Sequence, residues 1–516
     1  MKYRDNAKYQ IVMNIIWSLF SFLLSYGINF FMTPYLAEKV GIDAYGFISL
    51  ANTFISYIDI ISVAINAFAA RYIAIAYHNQ DYDQAEEFYS SVFMANLCLA
   101  LLIDIPLALM IVKLDIFLNI PKFLTTDIKV LFVIILLNYT LSLFATIFSL
   151  GAFIKNHASA TSRNSSVSRL VYVIMLGLMI YFTEVKVYYM AMANAFASLF
   201  MLFANIHCSN KYMPEIHIVP KKASMKKVKQ LISSGIWNSI NNIGNMLNSG
   251  LDLLITNQLL SSVLMGNISV AKQLANMITS LSFLISNAFQ AKQLEAYAKN
   301  EKKELIGYLK MAMKCMGIFG GLIFAIFFAL GRQFLDTWLP GQDTELIYKL
   351  SVIVLIGDVV VVVVRPLFYV NTLTDKLKVV CWITIASGCI NVMAMFILIK
   401  YYGMGAYAIV LTTMILNLIV HCVITPRLIA YFLKLEERNI FSKVVTKHLV
   451  VTIISTLILR LISKILPTYS TWECFICNMI ILSILGIVLM VIGELNKEEQ
   501  LTLLYIIREK VCKIAK

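Results

Sequence analysis

This chain predicts an all-α polytopic membrane protein, and three observations carry that reading. First, 60% of its 516 residues are hydrophobic, the mean hydropathy is +0.79 and only 14% are charged, against about 25% charged in soluble domains. Second, apolar runs recur at the roughly 20 residues needed to cross about 30 Å of hydrocarbon. Third, Lys and Arg gather on alternate connections between those runs.

The spans are placed, in order, at 11–33, 46–70, 88–112, 129–151, 168–184, 187–207, 231–257, 265–290, 311–331, 346–370, 378–400, 405–427, 444–465 and 474–493, about 14 in all. The first follows MKYRDNAKYQ with no small-residue cleavage site, so it is read as a retained span rather than a signal peptide. The fifth and sixth are separated by a tight turn. No outer loop exceeds 18 residues, and no soluble domain interrupts the series. Residues 497–516 alternate Leu501, Leu504, Ile507 and Val511 with Lys497, Arg508, Lys510 and Lys513, the pattern of a cytoplasmic amphipathic tail.

The net charge of +14 is distributed by topology. With the N-terminus inside, 32 of the 43 Lys and Arg fall on the cytoplasmic side, 10 fall outside, and Lys272 remains within a span. That asymmetry places both termini in the cytoplasm and requires an even number of spans. The basic excess therefore marks membrane topology and contact with anionic lipid, not nucleic acid.

The longest polar interruption, 208–230, is a basic linker carrying Lys221, Lys222, Lys226, Lys227 and Lys229. It divides the first twelve spans into 1–207 and 231–430, followed by two extra spans over 431–496. The halves echo each other. Leu50-Ala51-Asn52 recurs as Leu274-Ala275-Asn276, Asn66-Ala67-Phe68 recurs as Asn287-Ala288-Phe289, and Arg71 matches Lys292. With six spans in each half, the halves share one orientation and form parallel repeats.

The most informative feature is a run of polar residues in the seventh span: Asn238, Asn241, Asn245, Asn248 and Asp252, spaced 3, 4, 3 and 4 apart. That spacing predicts one face of one helix. In hydrocarbon an unpaired carboxylate costs about 2.5–3.5 kcal/mol on insertion scales, so the face must meet protein or water. The second span carries Ser49, Asn52, Ser56, Asp59 and Asn66; the eighth carries Lys272, Asn276, Thr279, Ser286 and Gln290; the first carries Ser18, Ser25 and Asn29. Interhelical hydrogen bonding, at about 0.6 kcal/mol per contact, would account for one such stripe. Four stripes on repeat-equivalent spans favour a shared hydrophilic cavity, with Asn52, Asp59, Asn238, Asn241, Asn245, Asn248, Asp252, Lys272 and Asn276 on its wall.

Lys272 either pairs with a carboxylate such as Asp252 or Asp59 or offers its charge to an anionic substrate. Asp59 and Asp252 are the candidate ion-coupling groups, because a desolvated carboxylate holds a proton or Na⁺. Asp104 and Asp358 lack a polar stripe and read as helix-end or paired groups. Arg365-Pro366 reads as an anchor first and a substrate contact second. Cys474 and Cys477 form a C-x-x-C without companion ligands, which speaks against metal or redox use. No metal site, cofactor site or catalytic signature is found: G-x-S-x-G, H-E-x-x-H and Walker A are all missing, and no D-x-D glycosyltransferase pattern is read from the short Asp81-Tyr82-Asp83 run.

Two stretches carry a family likeness. Thr33-Pro34-Tyr35-Leu36, Val40-Gly41 and Ala44-Tyr45-Gly46 form the first; Leu251-Asp252-Leu253-Leu254-Ile255 and Gly266-Asn267-Ile268-Ser269-Val270-Ala271-Lys272-Gln273-Leu274 form the second. They resemble polysaccharide flippases of the Wzx type, the O-antigen and teichoic-acid flippases of the multidrug/oligosaccharidyl-lipid/polysaccharide (MOP) exporter superfamily. The resemblance implies two bundles in a MATE-like V, alternating access in a monomeric transporter, and passage of an undecaprenyl-diphosphate-linked oligosaccharide. Lys272 would meet the diphosphate. It also implies the bacterial inner membrane, with membrane lipids, a polysaccharide polymerase and glycosyltransferases as partners. The first span lacks the charges of lipid II flippases and the acid of multidrug exporters, which places a cation-coupled drug exporter second. A membrane glycan polymerase or ligase comes third, disfavoured by the short outer loops; a structural scaffold leaves the buried charges unexplained.

Overall fold

The computed structural model describes residues 7–155, 158–467, 469 and 471–501. Its helices run α1 (Ala7–Lys39), α2 (Ile42–Asn66), α3 (Ala69–His78), α4 (Tyr82–Val112), α5 (Leu114–Phe117), α6 (Thr125–Ile154), α7 (Ala158–Phe182), α8 (Tyr189–Tyr212), α9 (Met225–Asn245) and α10 (Asp252–Leu259). Then follow α11 (Ser262–Ala298), α12 (Lys302–Trp338), α13 (Thr344–Val364), α14 (Phe368–Leu373), α15 (Leu377–Lys400), α16 (Ala406–Leu418), α17 (Thr425–Phe432), α18 (Ile440–Ser463) and α19 (Trp472–Glu494). Among the described residues there is no strand. Among the described residues, twelve helical segments are long and apolar enough to cross a membrane. Two further helical stretches, α1 and the run from Met225 to Leu259, stand where the first and seventh spans are expected. Of the predicted amphipathic tail, residues 502–516 lie outside the described residues.

Among the described residues, three helical runs change winding part-way. Met246–Gly250, between α9 and α10, and Ile419–Ile424, between α16 and α17, are π-helical turns; Arg365–Leu367, between α13 and α14, is a 3₁₀ turn. Pro366 explains the last, because it has no N–H to give to the preceding turn.

Packing divides the chain into two compact units, Met1–Gly266 with Cys381–Cys389, and Asn267–Val380 with Ile390–Lys516. The sequence repeat divides it at the 208–230 linker; packing keeps α9 and α10 with the first unit instead. Glycine is the reason. A Cβ at Gly235 would lie 2.0 Å from the Ala64 carbonyl oxygen, and one at Gly266 would lie 2.2 Å from that of Ile42. Only hydrogen at those positions lets the backbones approach so closely, the device by which small residues bring membrane helices together.

Elsewhere in the first unit α6 and α7 pack on α8 and α1 on α7, while α2, α3, α4, α6 and α9 share a core of Ile65, Ile73, Tyr89, Ile147 and Leu231. The linker is not a loose tether. His217 N donates to Glu86 Oε1 (3.1 Å), Val219 N to Ser90 Oγ (2.9 Å) and Ser224 N to Ser91 Oγ (2.9 Å). Lys222 Nζ reaches Asp83 (2.8 Å) and Glu86 (2.6 Å). The strap thus uses the acidic start of α4 to hold the chain that leads into α9.

In the second unit α12 packs against α13, α18 and α19. The two C-terminal helices are not peripheral to it. His448 on α18 and Glu494 on α19 form a fully buried pair, Nδ1 to Oε1 at 2.8 Å, with Thr452 Oγ1 3.1 Å from His448 Nε2. Gly317 of α12 makes room for that ring: a Cβ there would lie 2.6 Å from Nδ1.

Candidate functional site: the polar side of the α2–α9 pair

Helices α2 and α9 run antiparallel in tight register. Tyr57 Oη donates to Gly250 O (2.5 Å), Ser239 Oγ donates to Ile60 O (2.6 Å), and Tyr72 Oη lies 3.0 Å from Ser234 Oγ. These contacts fix the rotation of each helix. At about 100° per residue, Ile232, Ile236 and Ile243 turn to one side of the pair, and Ile61 of α2 turns to that same side. Their exposures of 38%, 38%, 40% and 49% in a hydrophobic helix pair mark a lipid-facing surface.

On the opposite side α9 presents Asn238, Asn241 and Asn245, and α2 presents Asn52, Ser56 and Asp59. Asn52, Ser56, Asp59 and Asn245 are exposed; Asn238 and Asn241 are half-buried. The side-chain amides of Asn238, Asn241 and Asn245 make no hydrogen bond to a described residue. Asn52 donates only to its own helix, at Ile48 O (3.0 Å), and Asp59 accepts from Ser62 on its own helix. Four of these six polar side chains thus make no hydrogen bond to a described residue and the other two bond only within α2, with isoleucine on the opposite side.

The seventh-span stripe is not one continuous face, however. Leu251 N bonds to Met246 O at 3.1 Å, an i→i+5 step, so the π turn advances less per residue and carries later residues out of phase. Asn248 is turned onto α15: its Nδ2 donates to Gly244 O and Thr384 O, both at 2.8 Å, and Ser387 Oγ donates to its Oδ1 at 3.2 Å. Asp252 is only 2% exposed, and Thr256 Oγ1 donates to its carbonyl at 2.6 Å. The stripe is therefore split into three open amides and two residues committed to packing. A π turn leaves no mark in apolar periodicity, so spacing alone could not reveal the split.

Other predicted residues fall as follows. Lys272 is half-buried and Asn276 exposed on α11, in the second unit. Asp104 accepts from Thr140 Oγ1 across α4 and α6 (2.8 Å), the paired role expected for it. Asn66 exchanges hydrogen bonds with Asn96 at 3.0 and 3.2 Å and so is used structurally. Cys474 Sγ sits beside Pro467 O and Gln333. The His448–Glu494 pair escaped sequence reasoning, since a His and an acid 46 residues apart share no motif.

An all-helical chain with twelve candidate spans among its described residues is a multi-pass membrane protein by class. The model of the polysaccharide biosynthesis protein family matches residues 11–289. The chain belongs to that family. It is 26% identical over 417 residues to the membrane protein EpsK of Bacillus subtilis (strain 168), covering 81% of this chain and 82% of that one. Among solved structures it is similar in fold to an inward-facing MATE multidrug-resistance transporter of the MOP superfamily (TM-score 0.64, 13% identity, 83% of this chain and 99% of that one). It is likewise similar to the lipid II flippase MurJ in an inward closed conformation (TM-score 0.63, 14% identity, 93% and 98%). The fold is one that these two transporters share.

Proposed function

We propose that this protein translocates an undecaprenyl-diphosphate-linked oligosaccharide across the bacterial cytoplasmic membrane by alternating access, for surface-polysaccharide synthesis. The observation that carries the reading is the two-sided α2–α9 pair, isoleucine toward lipid and open amides opposite. Dragging sugar hydroxyls through hydrocarbon costs several kcal/mol for each unsatisfied group. Amide side chains both donate and accept, so Asn52, Asn238, Asn241 and Asn245 can replace water around a sugar; Asn276, exposed on α11 of the second unit, offers the same chemistry there. The lipid tail stays in the bilayer. Lys272 supplies a cation for the diphosphate, and Asp59 is the exposed carboxylate placed to carry a coupling ion. Asp252, buried below the π turn, keeps a coupling role only if that turn rewinds.

The membrane potential supplies a driving force. An anion leaving a cell with a negative interior gains about 2.3 kcal/mol per charge per 100 mV. Proteoliposomes loaded with labelled lipid-linked oligosaccharide test the proposal: wild type exposes label to an external glycosidase and Lys272→Ala slows it severalfold. Parental flux by a folded Lys272→Ala protein removes the diphosphate role from Lys272. No flux by wild type of any lipid-linked glycan removes the reading itself.

A further inference from the structure

Arg365 in the second unit is a membrane-depth cation of a different kind. Among the described residues no carboxylate lies within ion-pair distance of its guanidinium, and its Nε is buried without a hydrogen-bond partner. What covers it is an aromatic ring: the guanidinium carbon sits 5.6 Å from the centroid of Phe283 on α11. Phe283 is itself 57% exposed, on the face of α11 that also exposes Asn276 and Asn287. Asp358 lies seven residues earlier on α13, about 10 Å along the axis, so it tempers the charge without pairing with it. Cation–π contact is worth on the order of 0.5–2 kcal/mol, but the ring gives the buried Nε–H no acceptor, and that unmade hydrogen bond costs about 1–3 kcal/mol.

The surroundings are irregular where a ligand would need them to be. Arg365 opens the 3₁₀ turn, and His421 stands in the π turn that faces it through Phe368, ring centroids 5.6 Å apart. Thr425 Oγ1 lies 3.3 Å from His421 Nδ1, which leaves Nε2 available. Single π turns in membrane helices gather at functional sites.

Resting on the flippase reading, we infer that Arg365 is a second diphosphate-binding residue, covered by the Phe283 ring until the headgroup displaces it, with His421 as its companion donor. A guanidinium suits this better than an ammonium, because its planar fork takes two phosphate oxygens at once.

The test uses full-length protein in nanodiscs and radiolabelled undecaprenyl diphosphate, with undecaprenol as the neutral probe. We expect wild type to bind the diphosphate at least tenfold tighter than undecaprenol. Arg365→Gln should erase that preference while leaving undecaprenol binding unchanged, and Arg365→Lys should retain part of it. Phe283→Ala, which removes the cover, should tighten diphosphate binding severalfold; this arm holds even if Arg365→Gln fails to fold. Unchanged diphosphate affinity in Arg365→Gln, or in Phe283→Ala, overturns the inference and leaves the flippase reading standing. A wild type that prefers undecaprenol or shows no preference overturns both.

Discussion

Ser239 donates to the carbonyl oxygen of Ile60 at 2.6 Å, across 179 positions of sequence, and with it the seventh span is locked in rotation against the second. Because of that lock, the asparagines of α9 and the polar residues of α2 share one side, and the isoleucines share the other.

The lock depends on Gly235. A methyl group there would meet the Ala64 carbonyl oxygen at 2.0 Å, so the backbones must part. Gly235→Ala should destabilise the protein by about 1–3 kcal/mol, the usual range for overpacking. Ser239→Ala should cost less, on the order of 0.6 kcal/mol. Thermal unfolding of the detergent-purified variants would rank them; equal midpoints would refute the close crossing.

The two sides of the pair should differ in water access. In a cysteine-depleted background, single cysteines at Asn241, Asn245 and Ser56 should react with a membrane-impermeant thiol reagent. Cysteines at Ile236 and Ile61 should stay protected. Labelling that does not distinguish the sides would mean that no hydrated surface runs along the asparagines.

The asparagines should also separate by role. Asn248→Leu breaks three hydrogen bonds to α9 and α15, and each lost bond costs about 0.5–1.5 kcal/mol. Asn241→Leu breaks none to a described residue. The first variant should unfold at lower temperature, and the second should fold normally and lose transport. The reverse ranking would show that the π turn has been placed wrongly.

This division marks the limit of what the sequence discloses. Membrane depth makes polar residues expensive, so Asn238 through Asp252 stood out without a structure, as did the second-span set around Asn52 and Asp59. Their phase did not, because the extra residue per turn at Met246–Gly250 is a backbone event with no compositional signature. Helix positions followed directly from apolar run length. Which spans pair did not: Gly235 and Gly266 are ordinary residues until the carbonyls they face are known. Lys222 read as one charge in a linker, and its acidic partners Asp83 and Glu86 lie more than a hundred residues away. Arg365 read as an anchor first and a substrate contact second, because only the fold reveals that Phe283, not a carboxylate, covers it.

The linker strap should respond to pH at both extremes. Lys222 holds the Asp83 carboxyl below the usual aspartate range, and Asp83 and Glu86 hold Lys222 above the usual lysine range. A depressed carboxyl contributes its stability above its unfolded pKa and loses it as the pH falls through the folded value. A raised lysine contributes below its unfolded pKa and loses it as the pH rises through the folded value. The strap should therefore resist trypsin at Lys221 and Lys222 at neutral pH, and Asp83→Asn with Glu86→Gln should open it there. Equal cleavage rates in the variant and wild type at neutral pH would contradict the strap.

The buried His448–Glu494 pair should not tolerate loss of one partner. Removing one member of a buried pair costs about 3–5 kcal/mol, so His448→Leu should unfold far earlier than the paired His448→Leu, Glu494→Leu variant. Thermal midpoints of both variants would check this; a milder effect in the single variant would deny the pair its role.

The central claim is that the open amides of α9 form the wall along which a lipid-linked glycan crosses. Flux of labelled undecaprenyl-diphosphate oligosaccharide in proteoliposomes tests it most directly, with wild type beside the Asn238→Leu, Asn241→Leu, Asn245→Leu variant. The account predicts wild-type flux that rises with an interior-negative potential, and flux at least tenfold lower in a variant that unfolds at the same temperature. Equal flux from the two proteins would contradict it.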